Sequence, residues 1–556
     1  MQSKLFINHI GFMPNGPKRF LVQFPKVAQF SIVNRWNNQE VLSGALKPFF
    51  GKDLGEYCIG DFSSITEEGT YIITCGDLVS DVVVIHKKPY EMALRTLYNY
   101  YPTQRCGDSI PGWNSPCHLH DATSTVTGEH VDVGGGWHRS CDLRKWLRGT
   151  MHAIFGLTQL ADYKAMERWS STVIPEELQW GNIYFHKMIT EEGRLRDYVS
   201  IPNDWDDDKP RILADEDAPP INFSIMAGAQ CEAAIYFKDI DPEYSQYCLD
   251  KAKALWRYMK SPQMKERYEG RKFKYHEYIP GSYAKCFRGS AVYVGGEAFA
   301  ASYLYRATGD KAYLESALEL ADALCALQVD GDVEKQLSAG CFWEDEKHRE
   351  FDTISFDNLW GPMALLYLIK LEEPVANRGR YLEVMTKVTK QYVLSAGQNP
   401  WNLIPPFWYV NNPGGTRPTG EHFYSYFTLY PETDFGNNVD ILGRAIILLE
   451  AKDLVDFGDA CVQVALHQVE WVLGCNPFNV STCEGVGYNQ YQMLINSDEF
   501  LPPTPQIPGA VQTGFVSALG TDNPMLGVEK VSVEYDMPAT SALMWVIKRL
   551  LEIIED

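Results

Sequence analysis

The chain reads as a small β-sandwich followed by a large helical domain. Two textures predict this. The first 88 or so residues hold short runs rich in β-branched and aromatic residues, whereas everything after Pro89 is dominated by apolar residues at three- and four-residue steps. Length agrees: 556 residues exceed one small core and suggest roughly two to four domains.

In order, FLVQF (20–24), FSIV (30–33), TYIIT (70–74) and DVVVIH (81–86) read as strands, separated by turn formers such as PNGP (14–17) and EEGT (67–70). Strands at such intervals make a sandwich. Helical periodicity then marks SIMAGAQCEAAIYF (224–237), GGEAFAASYLYRA (295–307), YLESALELADALCAL (313–327), VDILGRAIILLEAKDL (439–454) and ACVQVALHQVEWVL (460–473). YFKDIDPEY (236–244) and YRATGDKAY (305–313) echo one another, and AKDLVDFGDA (451–460) does so loosely. Each ends one helix, turns, and begins the next. Repeated antiparallel helix pairs around one axis would give a toroid, although the periodicity fits an irregular helical domain equally. Long aromatic and proline-rich segments at 204–220, 399–427 and 497–514 are expected to wall a cleft.

Composition excludes some functions. A net charge of −22 argues against nucleic acid as a partner, because phosphate binding needs a basic face. No uncharged run reaches the roughly 18 residues of a membrane span. The start, MQSKLFINHIGF, carries no export-signal pattern, so the expected location is cytoplasmic and the 13 cysteines are read mostly as buried free thiols. Aromatic residues make up 13%, which suits either sugar-stacking clefts or large cores.

Chemistry concentrates in GGGWHRSCDLRKW (134–146) and two segments before it. QRCG (104–107), PCHLH (116–120) and GGWH (135–138) supply Cys106, Cys117, His118 and His138, with His120 in reserve. Two thiolates and two imidazoles suit tetrahedral zinc, and four protein ligands make such a site structural. The spacing is not that of a zinc finger, so buried cysteines beside hydrogen-bonded histidines explain it equally well.

These segments carry a resemblance. NHIGFMPNGPKRFLV (8–22) looks like the opening of the immunoglobulin-like module that precedes some family 9 glycoside hydrolases. YYPTQRCG, PCHLHDA and HVDVGGGWHRSCDLRKW resemble that family's aromatic-QRCG, CHxDDA and GGW-aromatic-DAGD-KY segments. WVLGCNPFNVS (471–481) and VSVEYDMPATSAL (531–543) resemble its G-x-NP turn and its closing I-D-Y-N-A-P stretch. The match spans nearly the whole chain. It implies an immunoglobulin-like β-sandwich over 1–88, an (α/α)6 barrel over 89–556, and a structural Zn2+ on Cys106, Cys117, His118 and His138 that pins the catalytic loop.

It also implies an inverting hydrolase of β-linked oligosaccharides. Such an enzyme needs a carboxylate base and a carboxylic acid roughly 6.5–9.5 Å apart, with water between. The DAGD segment reads Arg139-Ser140-Cys141-Asp142 here. Asp142 falls at the base. Arg139 replaces the helper aspartate, where it is expected either to contact substrate and lower the pKa of Asp142 or to turn outward to solvent or to an acidic loop. The family's acid falls on Lys530, and Glu529, directly before it, is the expected acid; another loop's acid and a pKa-lowered Lys530 rank behind it. Glu534 is expected to be structural. Tyr488, in GVGYNQYQ (485–492), is a candidate for stacking on sugar, against the commoner role of a packed ring. The alternative to an enzyme is a carbohydrate-binding or regulatory protein that has lost catalysis. Sugar identity, endo or exo mode and oligomeric state are not encoded in these motifs.

Overall fold

The computed structural model describes residues 4–555 except 52, 109–115, 162, 164–172, 203–208, 265–289, 336–338, 344–358, 406–413, 417–421, 425, 431–434, 494–506 and 519–520. Much of the three expected cleft-wall segments lies outside the described residues.

The β texture at the start folds as two facing antiparallel sheets. One has the order β1 (Lys4–Phe6), β2 (Arg19–Gln23), β6 (Cys58–Asp61), β5 (Lys47–Pro48). The other runs β4 (Glu40–Ala45), β3 (Gln29–Asn34), β7 (Gly69–Cys75), β8 (Leu78–Val79), with β9 (Val83–Ile85) also on β7. Strand alternation decides which side chains meet. In β7, Tyr71, Ile73 and Cys75 are buried while Ile72 and Thr74 are only partly so. They join Phe20, Phe30, Ile32 and Phe62 in one core. Gly60 carries no side chain because Phe20 fills its place; a Cβ there would sit 2.2 Å from the ring.

The helical part closes into a ring. Helices His152–Ala161, Pro220–Phe237, Ala291–Thr308, Trp360–Lys370, Asn438–Ala451 and Met537–Glu555 each touch the next, and the last touches the first. A second layer, Val173–Met188, Pro242–Met259, Lys311–Ala326, Arg378–Ala396, Gly458–Val472 and Lys88–Tyr98, packs outside, one helix against each inner one. This is the (α/α)6 barrel. The layers differ as burial requires. All of Pro220–Phe237 is buried except Ile235 and Tyr236, the mark of a helix enclosed on every side. Pro242–Met259 buries one stripe, including Cys248, Ala252, Leu255 and Trp256.

The echoed segments are the hairpin corners. The Asp241 carboxylate accepts from Tyr244 N at 3.0 Å, with Pro242 in the first turn. Asp310 caps its helix through Ala312 N at 3.0 Å, after Gly309 ends the previous one at φ +72°. Sandwich and barrel are tied together. Arg19 donates to the carbonyls of Pro400 (3.0 Å) and Trp401 (2.9 Å), and His9 N donates to Leu473 O (3.0 Å). Among the described residues no helix is long and apolar enough to cross a membrane.

Candidate functional site

Cys106, Cys117, His118 and His138 come together although three separate segments supply them. All four are buried, and their donor atoms lie within 4.8 Å of one another. Cys106 Sγ is 3.9 Å from His118 Nδ1, and Cys117 Sγ is 3.8 Å from His138 Nε2. Tetrahedral zinc, with bonds of about 2.0–2.3 Å, places its ligand atoms about 3.3–3.8 Å apart, so the donor set fits that ion. His120 is exposed and outside the cluster.

Backbone pairing locks the ligands: Cys106 N donates to Gly136 O (2.9 Å) and His138 N to Gln104 O (2.8 Å). Gly136 sits at φ +74°, and a Cβ there would lie 2.5 Å from the Cβ of Tyr184, so both conformation and space demand glycine. Burial works against a Cys106 thiolate. The hydrogen bond from Cys117 and the charges of Lys145, His138 and Arg211 outweigh it and hold Cys106 well below the ordinary thiol range. Sharing that hydrogen bond with Cys106, together with burial, pushes Cys117 up. Burial keeps His138 neutral, the form that binds metals.

A second ring of contacts, invisible in the motifs, links this cluster to Asp142. Arg211 donates to Cys106 Sγ (3.3 Å), to both oxygens of Asp121 (2.9 and 2.5 Å) and to Leu143 O (2.6 Å). Lys145 Nζ lies 3.0 Å from Asp121. Leu143, at φ +57°, therefore presents its carbonyl to the same guanidinium that faces the thiol. The carbonyl just after Asp142 is held from the cluster.

Asp142 itself is part-exposed. Its Oδ1 accepts from Arg144 N (3.0 Å) and from Ser140 Oγ (3.1 Å). Ser140 Oγ also lies 2.6 Å from Glu534 Oε1. One hydroxyl has one proton, so when Ser140 donates to Asp142 the second contact needs a proton on Glu534. The electrostatics agree: burial, then the charge of Asp142, raise Glu534 to about 7, against the opposing influence of Arg139 and Ser140. Hydrogen bonds of 3.1 and 2.6 Å meeting at one oxygen hold these carboxylate oxygens closer than the roughly 6.5–9.5 Å an inverting pair requires. Glu534 is joined to Asp142 through the Ser140 hydroxyl.

The two expected binding residues have protein partners of their own. Arg139 is buried and turned to an acid from another segment. Its Nε donates to Asp536 Oδ1 at 2.9 Å, and its guanidinium lies over the rings of Trp146 (4.9 Å) and Phe435 (5.0 Å). The Ser140–Asp536 bridge brings the two segments together and supplies this acid. A second cation, Arg144, stands beside Asp142, with Nε 3.7 Å from Oδ2. Tyr488 serves the junction with the sandwich: its hydroxyl donates to Val82 O and its ring lies 5.1 Å from that of His9. Gly485 and Gly487, both at positive φ, turn this loop toward the first module. The side chains of Glu529 and Lys530 lie outside the described residues; their backbone belongs to the short helix Glu529–Val533.

Asp142 and Glu534 stand just before two inner helices that touch, His152–Ala161 and Met537–Glu555. The profile of glycosyl hydrolase family 9 matches residues 90–502, and that of the cellulase N-terminal ig-like domain matches residues 1–80. The chain belongs to glycosyl hydrolase family 9.

It is 23% identical to a cellodextrinase of Butyrivibrio fibrisolvens, over 88% of this chain and 86% of that one. It is 24% identical to endoglucanase D of Acetivibrio thermocellus, over 88% and 73%. Among solved structures, a single mutant of a thermostable endoglucanase from Alicyclobacillus acidocaldarius superposes over 99% of both chains, with TM-score 0.73 at 20% identity. A Zn-binding triple mutant of the family 9 endoglucanase J30 superposes over 97% of this chain and 99% of that one, with TM-score 0.72 at 19% identity.

Proposed function

We propose that the protein hydrolyses short β-linked oligosaccharides with inversion, using Asp142 as the base that activates water and Glu529 as the acid. The observation that carries this is the state of Asp142. One oxygen is engaged by Ser140 and a backbone amide, and the side chain still reaches solvent. Glu529 is favoured because its helix runs directly into Glu534. Kinship with a cellodextrinase and endoglucanases supports β-glucan-type linkages. Asp142→Asn is expected to lower kcat by about 10²–10⁴-fold while sugar binding persists. Calorimetric binding by the unaltered protein without any sugar release from β-linked oligosaccharides would instead establish a binding protein.

The Cys106, Cys117, His118 and His138 cluster is proposed to hold a structural Zn2+. Bound there, the ion would cross-link three segments and take no part in bond cleavage. Purified protein is expected to contain about one zinc per chain by elemental analysis. Chelation is expected to lower the melting temperature by several degrees, and an unchanged melting curve would contradict the assignment.

A further inference from the structure

The basic side chains around the catalytic turn are nearly all spoken for. Arg139 is paired with Asp536 at 2.9 Å, Lys145 with Asp121 at 3.0 Å, Arg211 with Asp121 at 2.5 Å and Arg105 with Glu177 at 2.8 Å. Arg144 differs. Its guanidinium makes no hydrogen bond among the described residues, and its Nε is buried without a partner. The nearby carboxylate oxygen, Asp142 Oδ2 at 3.7 Å, is beyond hydrogen-bonding reach. The guanidinium rests over the rings of Trp146 and Tyr198, each 5.5 Å from its centre, which fixes its plane. Arg144 and Asp142 keep 24% and 20% of their side-chain surface, so a molecule reaching one from solvent reaches the other.

A partly desolvated cation with unused donors is costly unless something pairs with it. Asp142 cannot do so fully, because Oδ1 is already engaged and the proposed chemistry leaves Oδ2 for water. The matching partner for a planar, ring-backed fork of N–H groups is a second planar carboxylate. We propose that Arg144 binds a carboxylate carried by the sugar beside the scissile linkage, so that the preferred ligand is a β-linked oligosaccharide containing a uronic acid. This rests on the hydrolytic reading above only for where the sugar lies.

The test is calorimetry on the full chain with non-hydrolysable thio-linked disaccharides: a β-1,4-linked glucose pair, its glucuronic acid counterpart and its 6-sulfate. The uronate is expected to bind at least tenfold more tightly than the neutral sugar, with a margin that shrinks as salt rises. Arg144→Met is expected to bring the two within about twofold, and Arg144→Lys, which keeps the charge but loses the fork, to retain part of the preference. Equal binding of uronate and neutral sugar by the unaltered protein, or a preference that survives in Arg144→Met, would overturn the assignment. Tighter binding of the sulfate than the uronate would overturn the carboxylate. Absence of turnover on the oxygen-linked disaccharides would sink the hydrolytic reading while leaving the binding preference standing.

Discussion

Ser140 has a single proton and two acids to serve, which makes the charge state of Glu534 consequential. Its pKa of about 7 lies above the ordinary 4.5, so between those values the folded protein holds a proton the unfolded chain has released. The stability from that proton is complete below the ordinary pKa and is lost as pH rises through about 7. The full effect is at most about 3 kcal/mol. Asp197, Glu470 and Glu484 are also raised by burial to about 7 and push the same way. Buried histidines with lowered pKa, such as His186 at about 4, act oppositely, but their contribution is complete above pH 6.5. Between pH 6.5 and 8 the melting temperature is therefore expected to fall. Glu534→Gln, whose amide can still donate to Ser140, is expected to make that fall shallower, and an identical slope in the variant would refute the role. Asp142 and the four-donor cluster were legible in the sequence because each sits inside a short motif. The partners were not: Glu534 is 394 residues from Ser140, and Arg211 is 105 from Cys106. Local spacing carries no record of such contacts, and the acid that pairs with Arg139, Asp536, arrives from 397 residues further on.

Elements carry the site through a few buried junctions. Glu177, on the outer helix Val173–Met188, accepts from Arg105 (2.8 Å) and from the indole N–H of Trp137 (2.7 Å), clamping the residues before Cys106 and His138 at once. Its side chain has no solvent exposure. Removing it strands a buried indole donor and leaves Arg105 to Asp108, 2.7 Å away, so Glu177→Ala is expected to cost about 2–4 kcal/mol and to loosen the metal cluster. A loss below 1 kcal/mol in denaturant unfolding would show that water replaces the clamp. The helix hairpins were readable from periodicity and from capping residues such as Asp241 and Asp310. Ring closure was legible only through the family resemblance, since an amphipathic stripe says that a helix packs but not which helix it meets.

At the scale of the molecule, sandwich and barrel share charge as well as surface. Arg19 reaches out of β2 to two barrel carbonyls and lies 3.7 Å from the buried Glu470, so the first module is fastened to the second by a cation the barrel interior needs. The closed ring has an implication for synthesis. The helix touching His152–Ala161 on one side and Asn438–Ala451 on the other is Met537–Glu555, made after the other five helices of the inner ring. Until it emerges, the two flanking helices have an apolar wall and no neighbour, and the segment carrying Glu534 and Asp536 has nowhere to dock. This keystone arrives after every other stone of the ring, so a nascent chain of this design must wait, gap open, for the nineteen residues that close it.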